Sequence, residues 1–287
     1  MTIPYTTLIS ASELFNQIGN PKWVIVDCRF SLDDAGRSLK DYLQSHIPGA
    51  VYAHLNKDLS GQIIPGKTGR HPLPEQETFV KTLSGWGIDA DVQVVTYDDK
   101  GGAMAASRLW WLLRWMGHDA VAVLNGGWPQ WRNNGFPVTN KVETGKHGNF
   151  TPRIRNNLLF STEGVQKILR DRSYRLLDSR SVDRYRGENE TIDPVAGHIP
   201  GALSAPFANN LNSEGLFLLR DELKARFQKL LGNVPPERAV FYCGSGVTAA
   251  HNLLAMSHAG VGDACLYAGS WSEWITSPER PIARGSD

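Results

Sequence analysis

Cys243 occupies a position at which thiol chemistry is expected. It follows the apolar run Ala239–Tyr242, and a short loop containing Gly244 and Gly246 leads from it into a helical pattern. Glycines let the chain bend tightly around a sulfur atom, and the N–H groups and positive dipole at a helix start stabilise an anion there. The pattern predicts a lowered pKa for the Cys243 thiol and hence a nucleophilic thiolate. The alternative is an inert, buried cysteine at a strand end.

Two other chemistries that use a similar loop fit these residues poorly. Gly244 to Ala249 match the pattern G-x-G-x-x-A of dinucleotide-binding loops, but too little chain follows to complete such a domain. A cysteine phosphatase loop needs an arginine at the position that Ala249 holds, because that arginine binds the phosphate. The loop is therefore interpreted as a site of thiol nucleophilicity without phosphate chemistry.

Four motifs occur twice in the chain, in the same order. They are D-[C/S]-R at 27–29 and 178–180, H-I-P-G-A at 46–50 and 198–202, the cysteine loop with its counterpart at 94–106, and G-[G/S]-W-x-x-W at 126–131 and 269–274. We interpret the chain as two copies of one domain, at residues 1–140 and 158–287, joined by a linker at 141–157. Asp98 stands in the first copy where the second has Cys243, so the chemistry is expected in the second copy alone.

The motifs that both copies share are expected to hold the fold. Arg29 and Arg180 are predicted to form ion pairs with aspartates. His46 and His198 recur in both copies, including the copy without the thiol, so a structural role is predicted for them.

Short apolar runs alternate with helical patterns in both copies. They predict strands at Trp23–Asp27, Val92–Tyr97, Ala120–Leu124, Arg175–Asp178, Ala239–Cys243 and Ala264–Tyr267, and helices at Ala103–Gly117 and Val247–Gly260. Continuous apolar runs of this length are typical of buried parallel strands. The predicted fold class is α/β, with two tandem domains that are each a mainly parallel sheet flanked by helices. Trp110, Trp111 and Trp115 are expected to pack between helix and sheet.

Composition limits the classes of partner. The 30 Lys+Arg and 29 Asp+Glu residues leave a net charge of +1, which argues against a nucleic-acid-binding surface. No apolar run approaches the roughly 18 residues of a membrane span, and the first residues lack a secretory pattern, so no membrane partner and a cytoplasmic location are predicted. Cys28, Cys243 and Cys265 are odd in number, widely spaced and form no C-x-x-C pair, so neither a disulfide scaffold nor a zinc site is expected. No cofactor and no metal are predicted. The oligomeric state and the exposure of Cys28 and Cys265 stay open.

Taken together, the residues resemble a known family. The tandem H-I-P-G-A motifs, the Asp98-for-Cys243 difference, G-R-H-P-L-P at 69–74 and C-G-S-G-V-T-A at 243–249 are similar to the two-domain rhodanese superfamily, and the loop is most like that of 3-mercaptopyruvate sulfurtransferases. The resemblance covers nearly the whole chain. It implies a sulfurtransferase in which Cys243 takes a sulfane sulfur from a small-molecule donor, holds it as a persulfide and passes it to a thiol or cyanide acceptor.

The resemblance also implies which residues assist Cys243. Ser245 corresponds to a loop serine that acts with a histidine, and His71 corresponds to that histidine. The alternatives are that Ser245 is an ordinary loop residue and that His71 is a turn residue before Pro72. The family acid falls near Asn56, where an amide replaces the carboxylate, and Asp58 is the other candidate for a Ser-His-acid group.

The donor is inferred from charge. Arg184 matches a family arginine that holds the donor's carboxylate, whereas a second family arginine is absent and Asp193 and Pro194 stand in its place. The loop itself carries no cation, which favours 3-mercaptopyruvate over thiosulfate; a thiosulfate sulfurtransferase is the alternative, and a non-catalytic sulfur carrier or scaffold is the alternative of another class. The residues expected to bind substrate are Arg184, Gly244, Gly246, Val247 and Thr248.

Overall fold

The computed structural model describes residues 4–34, 36–143 and 147–286. The chain divides into two compact units, the first comprising residues 1–61, 74–155 and 213–217 and the second residues 62–73, 156–212 and 218–287. The domain bounds inferred from the repeated motifs stay a prediction. Within the described ranges, none of the helices has the length and apolar character needed to cross a membrane.

The first unit contains five strands and six helices among its described residues. The strands are β1 (Leu8–Ile9), β2 (Trp23–Asp27), β3 (Ala50–Tyr52), β4 (Gln93–Tyr97) and β5 (Val121–Leu124). The helices are α1 (Ala11–Phe15), α2 (Arg37–Gln44), α3 (Leu55–Asp58), α4 (Gln76–Gly85), α5 (Ala105–Trp115) and α6 (Gly127–Asn133). The strand order in the sheet is β1-β5-β4-β2-β3, and every pair is parallel.

The second unit repeats this arrangement. Its strands are β6 (Leu159–Phe160), β7 (Arg175–Asp178), β8 (Leu203–Ser204), β9 (Ala239–Tyr242) and β10 (Cys265–Tyr267). Its α-helices are α7 (Thr162–Ile168), α8 (Val182–Arg186), α9 (Arg220–Leu231), α10 (Ala249–His258) and α11 (Ser270–Trp274), and short 3₁₀ turns lie at Asn156–Leu158, Phe207–Asn210 and Pro236–Arg238. The order β6-β10-β9-β7-β8 is again wholly parallel.

The two sheets have the same topology and equivalent registers. Val26 on β2 lies opposite Val51 and Thr96, and Leu177 on β7 lies opposite Leu203 and Phe241. Because equivalent strands pair in equivalent order, the duplication inferred from the four motifs extends to the fold. The predicted α/β class is confirmed, with a sheet that is entirely parallel among the described residues.

The core of each unit lies on its sheet. The central strands β4 and β9 are buried along their whole length, as continuous apolar runs predict for parallel strands. The tryptophans of α5 also belong to the core, since Trp110, Trp111 and Trp115 are all buried. Their predicted packing role is confirmed.

The two helices that follow the central strands begin slightly later than predicted. Helix α5 begins at Ala105 and α10 at Ala249, although the helical patterns start at Ala103 and Val247. The preceding loop residues direct their N–H groups to a single side chain, Asp98 in one unit and Cys243 in the other, instead of continuing the helix. This local hydrogen bonding delays the start of each helix.

The shared motifs hold the ends of the strands, as predicted. Arg29 pairs with Asp27 at 2.6 Å, and Arg180 pairs with Asp178 at 2.6 Å. His46 and His198 are buried, and each hydrogen-bonds a tyrosine carbonyl through Nδ1 at 2.6 Å and 2.8 Å respectively. These contacts are equivalent in the two units, which confirms a structural role.

Candidate active site

The loop from Cys243 to Thr248 connects the end of β9 to the start of α10. The Cys243 side chain is buried, and the N–H of Gly246 donates to its Sγ at 3.2 Å. Gly246 has a φ of +75°, and a Cβ there would collide with the carbonyl oxygen of Ala268. Glycine is required at this position both by the positive φ and by the close approach of Ala268, the residue that follows β10.

Hydrogen bonds to its sulfur lower the pKa of Cys243. Burial by itself raises the pKa, but the Thr248 hydroxyl and the N–H groups of Ser245, Ala249 and Gly246 act in the opposite direction and outweigh it. The resulting pKa lies below the ordinary thiol value. The loop therefore favours a thiolate, as the sequence pattern predicts.

Ser270 anchors the cysteine from the opposite side of the loop. Its Oγ accepts the N–H of Cys243 at 3.1 Å, and the N–H of Trp271 donates to the Cys243 carbonyl at 3.0 Å. Among the described residues Ser270 is the sole non-glycine with a positive φ, at 56°, a strained conformation that clusters at functional sites. The first unit has Gly127 at this place, with a φ of 58°. Sequence reasoning missed Ser270, although the G-[G/S]-W difference between the copies was a signal.

The first unit has a loop equivalent to the Cys243 loop, and it also binds an anionic side chain, that of Asp98. The Asp98 carboxylate accepts N–H groups from Lys100 at 2.8 Å, Gly102 at 2.9 Å and Met104 at 3.0 Å. Burial raises the Asp98 pKa to about 6, and the backbone hydrogen bonds partly oppose this rise. The equivalent loop in each unit thus directs N–H groups at one acidic side chain.

Ser245 and His71 lie together in the second unit. The Oγ of Ser245 is 2.7 Å from Nδ1 of His71, and both residues are buried. This is the contact that the resemblance implies. Asn56 and Asp58 belong to the first unit, where the N–H of Asn56 donates to Nδ1 of His54 and the carboxylate of Asp58 accepts the N–H of His54 at 2.7 Å. An acid completing a Ser-His-acid group stays a prediction.

Two arginines face the cysteine loop. A Cβ on Gly244 would lie 2.8 Å from Nη2 of Arg70 and 3.6 Å from Nη1 of Arg184. Arg184 was singled out from the sequence, whereas Arg70 was not. Its position directly before His71 was the available signal, because neighbouring residues of one short segment reach the same site.

Two carboxylates hold these arginines in place. The Nε–Nη2 edge of Arg184 donates to Glu190 at 3.0 Å and 2.9 Å, and Nη2 also donates to Asp193 at 2.9 Å. The other oxygen of Asp193 pairs with Nη1 of Arg70. The Nε–Nη2 edge of Arg184 is therefore occupied by Glu190, and because Nη2 also donates to Asp193, the Nη1–Nη2 edge cannot bind a further carboxylate bidentately either. One nitrogen of each arginine remains directed at Gly244.

The remaining substrate-binding candidates, Val247 and Thr248, form hydrogen bonds within the loop and the first turn of α10. Thr248 is the N-cap of α10, and its hydroxyl bonds the Cys243 sulfur. Val247 is buried, and its carbonyl accepts the N–H of Ala250 at 3.2 Å. Their contact with a substrate stays a prediction.

The other two cysteines are buried in environments unlike that of Cys243. Burial, followed by the charge of Asp27, raises the pKa of Cys28 well above its usual value. Burial raises the pKa of Cys265 to about 11. The three cysteines are all reduced, and Cys243 alone has a lowered pKa.

This contrast predicts the order of alkylation. We expect iodoacetamide to modify Cys243 before Cys265 and Cys28 near neutral pH, because the thiolate is the reacting form. Access alone predicts a different order, since Cys265 is 5% exposed and Cys243 only 1%. Modification of Cys243 should also persist at a lower pH than that of the other two, because its folded-state pKa is depressed.

Peptide mass spectrometry at several times and pH values measures the three rates. Urea-unfolded protein is the control, because unfolding removes the loop and should make the three rates similar. Equal rates in the native protein would contradict the lowered pKa.

Comparison with known proteins places these features in a wider group. The chain matches the rhodanese-like domain twice, at residues 10–134 and 161–277. It is 47% identical to a protein of Pseudomonas aeruginosa named "Probable 3-mercaptopyruvate sulfurtransferase", over 97% of this chain and 98% of that protein. It is 32% identical to thiosulfate sulfurtransferase of Rattus norvegicus, over 98% of this chain and 96% of that protein.

A solved structure shares both the fold and appreciable sequence. SseA from Escherichia coli, a 3-mercaptopyruvate sulfotransferase with the rhodanese fold, superposes with a TM-score of 0.79 at 31% identity, covering 94% of this chain and 100% of that chain. The likeness extends over both compact units.

Proposed function

The chain belongs to the rhodanese-like family and is a sulfurtransferase, and from this premise we propose that 3-mercaptopyruvate is its donor and Cys243 its sulfur carrier. The observation that carries the proposal is the set of hydrogen bonds to the Cys243 sulfur from Ser245, Gly246, Thr248 and Ala249. They stabilise an anion at the place where the reaction needs one, first as a thiolate and then as a persulfide.

The first half-reaction transfers sulfur to the enzyme. The Cys243 thiolate attacks the donor sulfur and forms an S–S bond, while the C–S bond of mercaptopyruvate breaks and its electron pair stays on carbon. The product carbanion, delocalised as the enolate of pyruvate, takes up a proton. The sulfur remains on Cys243 as a persulfide, which the loop N–H groups can hold as they hold the thiolate.

Ser245 and His71 are proposed to handle protons in this step. Their contact of 2.7 Å allows a proton to pass between the Ser245 hydroxyl and the imidazole. The donor thiol has a proton to lose and the departing enolate needs one, so a serine–histidine pair beside the loop can serve both needs. A donor whose leaving group is already a stable anion makes no such demand.

The second half-reaction regenerates Cys243. A nucleophilic acceptor, a thiolate or cyanide, attacks the outer persulfide sulfur, and the Cys243 thiolate leaves. Its lowered pKa makes it a good leaving group. Thiol acceptors fit the predicted cytoplasmic location, where thiols are kept reduced.

The arginines are proposed to bind the donor's carboxylate. Nη2 of Arg70 and Nη1 of Arg184 both face Gly244, next to the reacting sulfur. A carboxylate bridging these two nitrogens would make one charge-assisted hydrogen bond to each arginine. Nη2 of Arg184 already donates to both Glu190 and Asp193, so this bridging arrangement is favoured over a fork made by Arg184 alone.

Thiosulfate sulfurtransfer is the second candidate function, and the two arginines are the observation that favours it. The loop itself has no cationic side chain, but Arg70 and Arg184 place two guanidinium groups near the cysteine. Two positive charges suit a doubly charged inorganic donor. Ser245 and His71 favour mercaptopyruvate, because the sulfite left by thiosulfate needs no proton.

Steady-state rates with the two donors test the choice. We expect kcat/KM for mercaptopyruvate to exceed that for thiosulfate by at least about tenfold, equivalent to about 1.4 kcal/mol of transition-state binding. Thiosulfate activity equal to or above mercaptopyruvate activity would overturn the donor assignment. Mass spectrometry of the Cys243 peptide after incubation with donor alone should show one added sulfur atom.

A further inference from the structure

Asp193 lies at the centre of a chain of ion pairs beside the cysteine loop, in which the carboxylates are buried and Arg70 and Arg184 are partly buried. It links Arg70 to Arg184, and Glu190 links Arg184 to Arg180. The side chains of Asp193 and Glu190 are each only 2% exposed, so solvent screens their charges weakly. The two arginines that face Gly244 are thus opposed by two buried carboxylates.

Asp193 has two separable effects on this site. Its oxygens bind one nitrogen of each arginine, which keeps the guanidinium groups side by side over Gly244. Its negative charge also cancels part of their positive charge.

We propose that Asp193 determines the charge of the donor that the site accepts: it positions two arginines for a singly charged carboxylate and disfavours a dianion. The inference rests on the proposed function, since it concerns the donor site of that reaction. The positive charges of Arg70 and Arg184 are balanced by the negative charges of the Asp193 and Glu190 carboxylates. A donor with one negative charge gains the two directed hydrogen bonds, whereas a second negative charge adds repulsion from Asp193.

The charge effect can be measured without sulfur transfer by alkylating Cys243. Iodoacetate is an anion and iodoacetamide is neutral, but both alkylate the same thiolate. We expect Asp193→Asn to raise the ratio of the iodoacetate rate to the iodoacetamide rate at least about threefold. Because the ratio is taken within one variant, a changed fraction of thiolate affects the rates of both reagents alike and cancels.

Asp171→Asn is the matched control, because it removes the same charge from an exposed aspartate of the same unit. Its ratio should equal that of the wild type. A ratio unchanged in Asp193→Asn, or raised equally in Asp171→Asn, would overturn the proposal. Asp193→Glu, which keeps the charge, should leave the ratio near the wild-type value even if the longer side chain lowers overall reactivity.

Donor selectivity is the second readout. We expect Asp193→Asn to raise the ratio of kcat/KM for thiosulfate to kcat/KM for mercaptopyruvate by about tenfold, because a dianion gains more than a monoanion when a negative charge is removed. An unchanged donor ratio in an active variant overturns the inference and leaves the proposed function intact. If the wild type transfers sulfur from neither donor, the proposed function fails, while the alkylation ratio still tests the charge effect.

Discussion

Replacing Cys243 by serine is expected to abolish sulfur transfer from either donor, lowering kcat/KM at least about a thousandfold. A serine hydroxyl is far too weak an acid for the loop hydrogen bonds to ionise it, so the nucleophile is lost. The fold should survive, because serine is similar in size and its oxygen can accept the N–H of Gly246 in place of the sulfur. Steady-state kinetics and thermal unfolding measure the two outcomes.

Cys265→Ser provides the matched control for this prediction. It makes the same chemical change at a buried cysteine of the same unit, whose thiol donates to the Asn157 carbonyl at 3.3 Å. It should keep most of the activity. Retention of even a tenth of wild-type turnover in Cys243→Ser would show that another group is the nucleophile.

Removing the contact between His71 and Ser245 is expected to have the next largest effect, and to depend on the donor. His71→Asn and Ser245→Ala should each lower kcat with mercaptopyruvate by about a hundredfold, the usual contribution of a positioned proton-transfer group. With thiosulfate the loss should stay within about threefold, because its leaving group departs without a proton. If His71 and Ser245 had only a structural role, the two substitutions would lower kcat equally with both donors.

The double variant tests whether the two residues act as a unit. Since they share one hydrogen bond of 2.7 Å, the double change should cost little more than either single change. His147→Asn, the same substitution at an exposed histidine, should leave both donors unaffected. Multiplicative losses in the double variant, or equal losses with both donors, would argue against a shared proton-transfer role.

The fold could be predicted largely from sequence because the signals for it are local and repeated. Buried parallel strands require continuous apolar runs, and β2 and β7 have the predicted bounds without change. The duplicated motifs predict a second sheet equivalent to the first, and both sheets show the same strand order. The helix starts were less predictable, because they depend on which side chain the loop N–H groups bind.

The lowered pKa of the Cys243 thiol could be predicted because its causes are also local. The hydrogen bonds that lower its pKa come from Ser245, Gly246, Thr248 and Ala249, all in the loop and helix start that follow it directly. Ser270 escaped prediction because its hydroxyl reaches Cys243 from 27 positions away, and its strained φ becomes apparent only from the backbone.

The sequence by itself determined the α/β class, the duplication and which of the three thiols has a lowered pKa. Only the tertiary structure decided which distant side chains lie near that thiol, since the resemblance implied the contact of His71 with Ser245 but no local pattern in the sequence predicts it. His71 meets Ser245 across 174 positions, and Arg70 meets Asp193 across 123. Hydrogen bonds and ion pairs act over a few ångströms, whereas spacing along the chain carries no information on which distant segments pack together. The charge balance that Asp193 imposes on Arg70 and Arg184 therefore becomes visible only when the second unit is folded.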